Sequence, residues 1–109
     1  MELFEKQQAL MKQLSASIKE LEKHGREAAQ AEMDYKITLH QNILKLKDQG
    51  MPATLINTMV YGVREVAEKR LSRDIAETMY NVVRERINGI KKTIAVNEEQ
   101  LKREWSLAG

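Results

Sequence analysis

Apolar residues step along the first part of the chain in alternating threes and fours: Met11, Leu14, Ile18, Leu21, Gly25, Ala28, Glu32, Tyr35, Leu39, Asn42 and Leu46. That spacing is a heptad seam, which predicts a helix over residues 2–48. Gly25 lies in KHGREA, a setting suited to a helix end. The seam nevertheless passes through it in phase, so one continuous helix is expected, at about 1 kcal/mol relative to Ala. A kink at Gly25 is the alternative.

The second part repeats the pattern. Val66, Arg73, Tyr80, Ile87, Ile94 and Leu101 stand seven apart, with Ala76, Val83, Ile90 and Asn97 between them. A helix over 63–105 follows. The segment between the two carries the only proline and two of the five glycines. Gly50 suits the position just past a helix end, and Pro52 suits a first turn. A short helix over 52–60, closed by Gly62, makes the corner.

The expected fold is therefore all-α. It is a single domain spanning 1–109: a long antiparallel, coiled-coil-like hairpin with helices over 2–48 and 63–105 and a corner over 49–62. In such a hairpin the numbers of facing residues sum to about 112, and large side chains then meet small ones. Gly25 should meet Ile87, and Tyr35 should meet Ala76 or Glu77.

A second apolar stripe accompanies the seam. It holds Met33, Ile37 and Leu44 on the first helix and Leu71, Ile75, Met79 and Val82 on the second. One hairpin has one seam, so this stripe is expected to be a self-association face that joins two copies into a four-helix bundle. The corner holds Met51, Leu55, Ile56, Met59, Val60 and Tyr61. Adaptable Met and anchoring Tyr suit a protein partner. The alternative use of these residues is to plug the end of the bundle.

Composition narrows the function. There is no Cys, so disulfides, thiol catalysis and thiolate metal sites are excluded. No apolar run approaches the ~18 residues that span a bilayer. The charged start MELFEK is unlike a signal peptide, and a cytoplasmic setting is expected. Both charge signs mix along the helices, which disfavours a membrane surface. Cofactors and metals are not expected. Glu20, His24 and Glu27 share a helix face, but such triples are common on solvated helices. His40 reads as a surface or interface-rim residue, and Glu32 as a structural residue that snorkels or hydrogen-bonds to Tyr80 across the hairpin. Without a nucleophile–base pair or a phosphate loop, no enzyme is expected.

Charge leaves one alternative open. Residues up to Gly62 hold eight basic and eight acidic side chains; the rest hold ten and eight. Arg64, Lys69, Arg70 and Arg73 cluster after the corner beside Tyr61, an aromatic–basic combination that suits single-stranded nucleic acid. Glu65, Glu68, Asp74 and Glu77 interleave with them, as on a solvated helix.

The runs GMPATLI, VAEKR, RDIAETMY, ERIN and EQLKREW give the motif order G-x-P-x-T-L-I, V-A-x-x-R, R-D-x-A-x-x-x-Y, I-N and R-E-W. In these the chain resembles a set of small helical proteins from phage and prophage early regions. The likeness covers Tyr35 onward, and the Gly25 region is also similar. Gly50–Ile56 is its most specific piece. Val63 departs from it, since a capping Asp or Asn is expected there. Genes of this set often neighbour those for single-strand annealing recombinases and single-strand-binding proteins. The resemblance implies phage DNA metabolism or host takeover, and no particular activity. The expected function is thus a non-enzymatic adaptor or inhibitor, contacting itself and an unidentified protein of recombination, replication or defence. The alternative is an accessory protein that binds single-stranded DNA.

Overall fold

The structure, a computed structural model, describes residues 2–108 and is all-helical. Helix α1 spans Glu2–Asp48, 47 residues without a break at Gly25. Helix α2 spans Ala53–Met59, a 3-10 turn follows at Val60–Gly62, and α3 spans Arg64–Ala108, 45 residues. Glu2 and Glu5 in the first turn of α1, and Lys45 and Lys47 in its last, complement the helix dipole.

The chain stops α1 with a specific device. Gly50 takes φ 83°, a left-handed conformation that Gly adopts without a Cβ clash. Its N–H donates to the Lys47 carbonyl at 3.0 Å, and the Met51 N–H donates to the Leu46 carbonyl at 3.1 Å. These are the paired hydrogen bonds of a Schellman cap. Pro52 then stands as the N-cap of α2 in an extended conformation. Its carbonyl accepts from the Leu55 and Ile56 N–H groups, each at 3.0 Å. Val63, also extended, separates the 3-10 turn from α3.

The helices form two units. One joins α1 up to Lys23 with α3 from Asn81; the other is His24–Tyr80. In the first unit the two segments run antiparallel, with Asn97 beside Leu3 and Gln7, and Arg86 paired to Glu20. Leu10, Val83, Ile87 and Ile94 form the buried apolar seam, interrupted by Ser17 and Asn97. The α3 positions are the expected ones. On α1 the expected seam residues Met11 and Ile18 are exposed, and Leu10 and Ser17 are buried in their place. The helix turns its smaller residues toward α3, as close packing of two helices favours.

The second unit is an antiparallel pair closed by the corner. Tyr35, Val60 and Val66 form its buried cluster, with Leu39, Ile43, Leu46 and Val63 packed against it. Its register corrects the expected one. Gly25 meets Tyr80 rather than Ile87, seven residues away. Tyr35 meets Arg73 rather than Ala76 or Glu77. The partner of Gly25 shifts by seven residues and that of Tyr35 by three or four, so the slip lies within one heptad. The corner gives the reason. Val60, 1% exposed, packs down among Leu39, Ile43 and Leu46 of the final turns of α1, and Ile56 of the same corner is 5% exposed. These turns are thereby covered, and α3 first reaches α1 further back, where Asn42 bonds Glu65.

Candidate interaction surfaces

The corner residues divide into two groups. Ile56 and Val60 are buried and belong to the plug, which removes them from the candidate partner surface. Leu55, Met59 and Tyr61 remain open, at 52%, 53% and 44% exposure. Met51 is half-buried. It lines a shallow hollow with Leu46, Thr58, Met59, Gly62 and Val63. The corner thus keeps an apolar outer surface above a filled interior.

The second stripe is exposed throughout, from 43% for Met79 to 60% for Leu71. Within His24–Tyr80, Met33, Ile37 and Leu44 lie on α1, and Leu71, Ile75 and Met79 on α3; Val82 belongs to the other unit. A helix turns about 100° per residue. Ile37 therefore points about 200° away from Tyr35, and Leu44 likewise from Asn42. Tyr35 and Asn42 are both buried against α3. In the same way Ile75 points away from the inward-turned Arg73. The α1 and α3 stripes consequently occupy the reverse faces of their helices and look in opposite directions. They do not form the single surface expected from the sequence.

The basic candidates also separate. Arg73 turns inward. Its guanidinium carbon lies 4.5 Å from the centre of the Tyr35 ring. It also reaches Glu32 at 3.6 Å and Asp74 at 2.9 Å. The hydrogen bonds that Arg73 donates to Asp74, with the charges of Asp74 and Glu32, outweigh partial burial and raise its pKa above the usual arginine value. Arg73 is a structural cation and not an available nucleic-acid contact. Glu32 holds both Arg73 and Lys36, which agrees with its structural reading. Arg64 pairs with Glu68 at 3.2 Å. Lys69 and Arg70 are exposed, and Arg70 lies 5.8 Å from the Tyr61 ring centre.

The sequence placed two polar residues, Asn42 and Asn97, on the seams without giving their bonds. Buried Asn97 donates to the Leu3 carbonyl at 3.0 Å and to Gln7 Oε1 at 2.9 Å, while its own Oδ1 is buried without a partner. Buried Asn42 donates to the Thr38 carbonyl at 2.8 Å and to Glu65 at 3.3 Å. Both stand at seam positions, where one polar residue fixes register. A further stripe in the first unit, Phe4, Met11 and Ile18, is exposed at steps of seven.

Among the described residues, no group of three or more His, Cys, Asp or Glu is placed to hold a metal ion. His24 Nδ1 meets Glu27 at 3.2 Å. No helix among them is long and apolar enough to cross a membrane. The sequence matches no protein-family model, and no curated protein or solved structure shows significant similarity to it.

Proposed function

We propose that this chain is a non-enzymatic interaction protein that works through the uncovered apolar faces of its helices. It associates with itself and docks a protein partner, as an adaptor or inhibitor of a recombination, replication or defence protein. The pathway is taken from the resemblance to small phage and prophage helical proteins. The mode of action rests on one observation: Met33, Ile37, Leu44, Leu71, Ile75 and Met79 are all at least 43% exposed within one unit. Apolar surface of that regularity favours burial against a partner. The open corner residues Leu55, Met59 and Tyr61 offer a second contact.

The alternative reading, accessory binding of single-stranded DNA, draws on Lys69 and Arg70 beside Tyr61. Ring and cations suit one stacked base with its phosphates. With Arg73 turned inward and Arg64 paired, few free cations remain there, so any such binding is weak and salt-sensitive.

Light scattering after size exclusion separates the readings, run at low and high salt with and without a labelled single-stranded oligonucleotide. The proposal expects species larger than a monomer that ignore the oligonucleotide. A monomer, or a species that shifts with the oligonucleotide and returns in salt, would overturn it.

A further inference from the structure

Within His24–Tyr80, the outward face of α1 carries opposite charges at its two ends. Met33, Ile37 and Leu44 form its apolar middle, each at least 46% exposed. Arg26 stands eleven residues before Ile37 and Asp48 eleven after it. Eleven residues make about three turns, so cation and anion stay in line with the stripe. Asp34 and Lys45 lie together on one flank, about 60° and 80° round from Ile37. Arg26, Lys45 and Asp48 are exposed and form no ion pair among the described residues. Asp34 accepts a hydrogen bond from the neutral amide of Gln30 at 3.0 Å. Of the other charges on this face, Lys36 is held by Glu32 and Glu27 by His24, and Lys47 lies on the opposite flank.

This order is self-complementary when a second copy is turned end to end. The numbers of facing residues in two antiparallel α1 helices then sum to about 77, which seats Met33 of each copy against Leu44 of the other and Ile37 against His40. Arg26 comes within reach of Asp48, and Asp34 within reach of Lys45, each twice. Lys36 and Lys47 meet the uncharged Gln41 and Gln30. A parallel pairing would set Arg26 against Arg26, Asp34 against Asp34 and Asp48 against Asp48, and like charges disfavour it. The outward face of α3 offers no such match. The charges beside Leu71 and Ile75 are already partnered, Arg64 with Glu68 and Asp74 with Arg73.

We infer that two copies pack through the outward faces of their α1 helices, antiparallel about a two-fold axis that passes beside Ile37 and His40. This deepens the self-association of the proposed function and rests on it. Such an interface is isologous, so assembly closes at a dimer. The α3 face of each copy, with Leu71 and Ile75, stays uncovered.

Sedimentation velocity on charge-reversed variants tests this. Arg26 and Asp48 are exposed, so folding should persist, and circular dichroism checks it. The wild type is expected to reach a dimer and stop there as concentration rises. Arg26→Glu alone, or Asp48→Arg alone, sets like charges at both symmetry-related contacts and should weaken the dimer about tenfold at low salt. The two substitutions together restore opposite charges and should recover it. Ile37→Glu should leave a monomer, while Ile75→Glu on α3 should dimerise as the wild type does. Growth past a dimer, a double variant no tighter than the single ones, an unaffected Ile37→Glu or a monomeric Ile75→Glu would each overturn the α1 contact, although self-association stands. A monomeric wild type would sink both.

Discussion

The guanidinium of Arg73 lies over the ring of Tyr35, 4.5 Å from its centre, and the same side chain reaches Glu32 at 3.6 Å. A cation on the α3 seam thereby covers an aromatic on the α1 seam and neutralises the carboxylate one turn away. Tyr35 is 6% exposed and belongs to the buried cluster with Val60 and Val66. The pairing ties the end of that cluster to the register of the two helices.

Arg73→Ala should therefore weaken folding, and Arg73→Lys should recover only part of the loss. Lysine keeps the charge but not the planar group that stacks on Tyr35 while reaching two carboxylates. Urea denaturation followed by circular dichroism measures both. An unchanged midpoint in Arg73→Ala would show that the stack contributes nothing.

Asn97→Leu should stabilise the first unit by about 1 kcal/mol and raise Tm. The substitution removes a buried Oδ1 that has no partner. Gln7, one acceptor of the Asn97 amide, keeps its bond to Glu98 at 3.3 Å. The same change removes a polar residue that selects register, so alternative pairings become easier. A fall in Tm would mean that the two bonds donated by Asn97 outweigh the buried oxygen.

Gly25→Ala should also stabilise, by about 0.5–1 kcal/mol, because Ala loses less backbone entropy in a helix. A Cβ at Gly25 would sit 3.5 Å from Tyr80 Cε2, an ordinary van der Waals distance. A thermal melt decides. A lower Tm would show that Tyr80 needs the bare backbone.

Much of this fold was legible because one helix repeats cleanly. The expected α3 seam, from Val66 through Tyr80 and Ile87 to Asn97 and Leu101, is buried or half-buried throughout. On α1, Leu14, Leu21, Ala28, Tyr35 and Asn42 also face inward. The alternate positions misled because Met11 and Ile18 are oilier than Ser17 and Thr38, yet the smaller residues are the buried ones. Register was hidden for a different reason. A heptad pattern changes little under a slip within one repeat, so the fill of the corner and the polar contacts of Asn42 with Glu65 and Asn97 with Gln7 fix it.

The surfaces were less legible. Exposure of Met33, Ile37, Leu71 and Ile75 followed from the pattern, but their opposite directions depended on knowing which α1 positions face α3. Arg73 was grouped with the basic cluster, although its place in the seven-residue repeat of α3 was already a sign that it turns inward. The exposed stripe of Phe4, Met11 and Ile18 was hidden by the same choice of seam that misplaced Met11 and Ile18.

The register underlies the whole account, since it makes Ile56 and Val60 a plug and leaves the helix faces as the means of contact. It can be measured by trapping, and the absence of Cys removes any background. Glu20 and Arg86 form an ion pair across the helices. Cysteines placed at 20 and 86, treated at low protein concentration with a short bismaleimide, should cross-link within one chain in preference to cysteines at 20 and 93, one heptad further on. Preferential linking of 20 to 93 would contradict the account and favour the register expected from the sequence, in which residue 20 faces about 92.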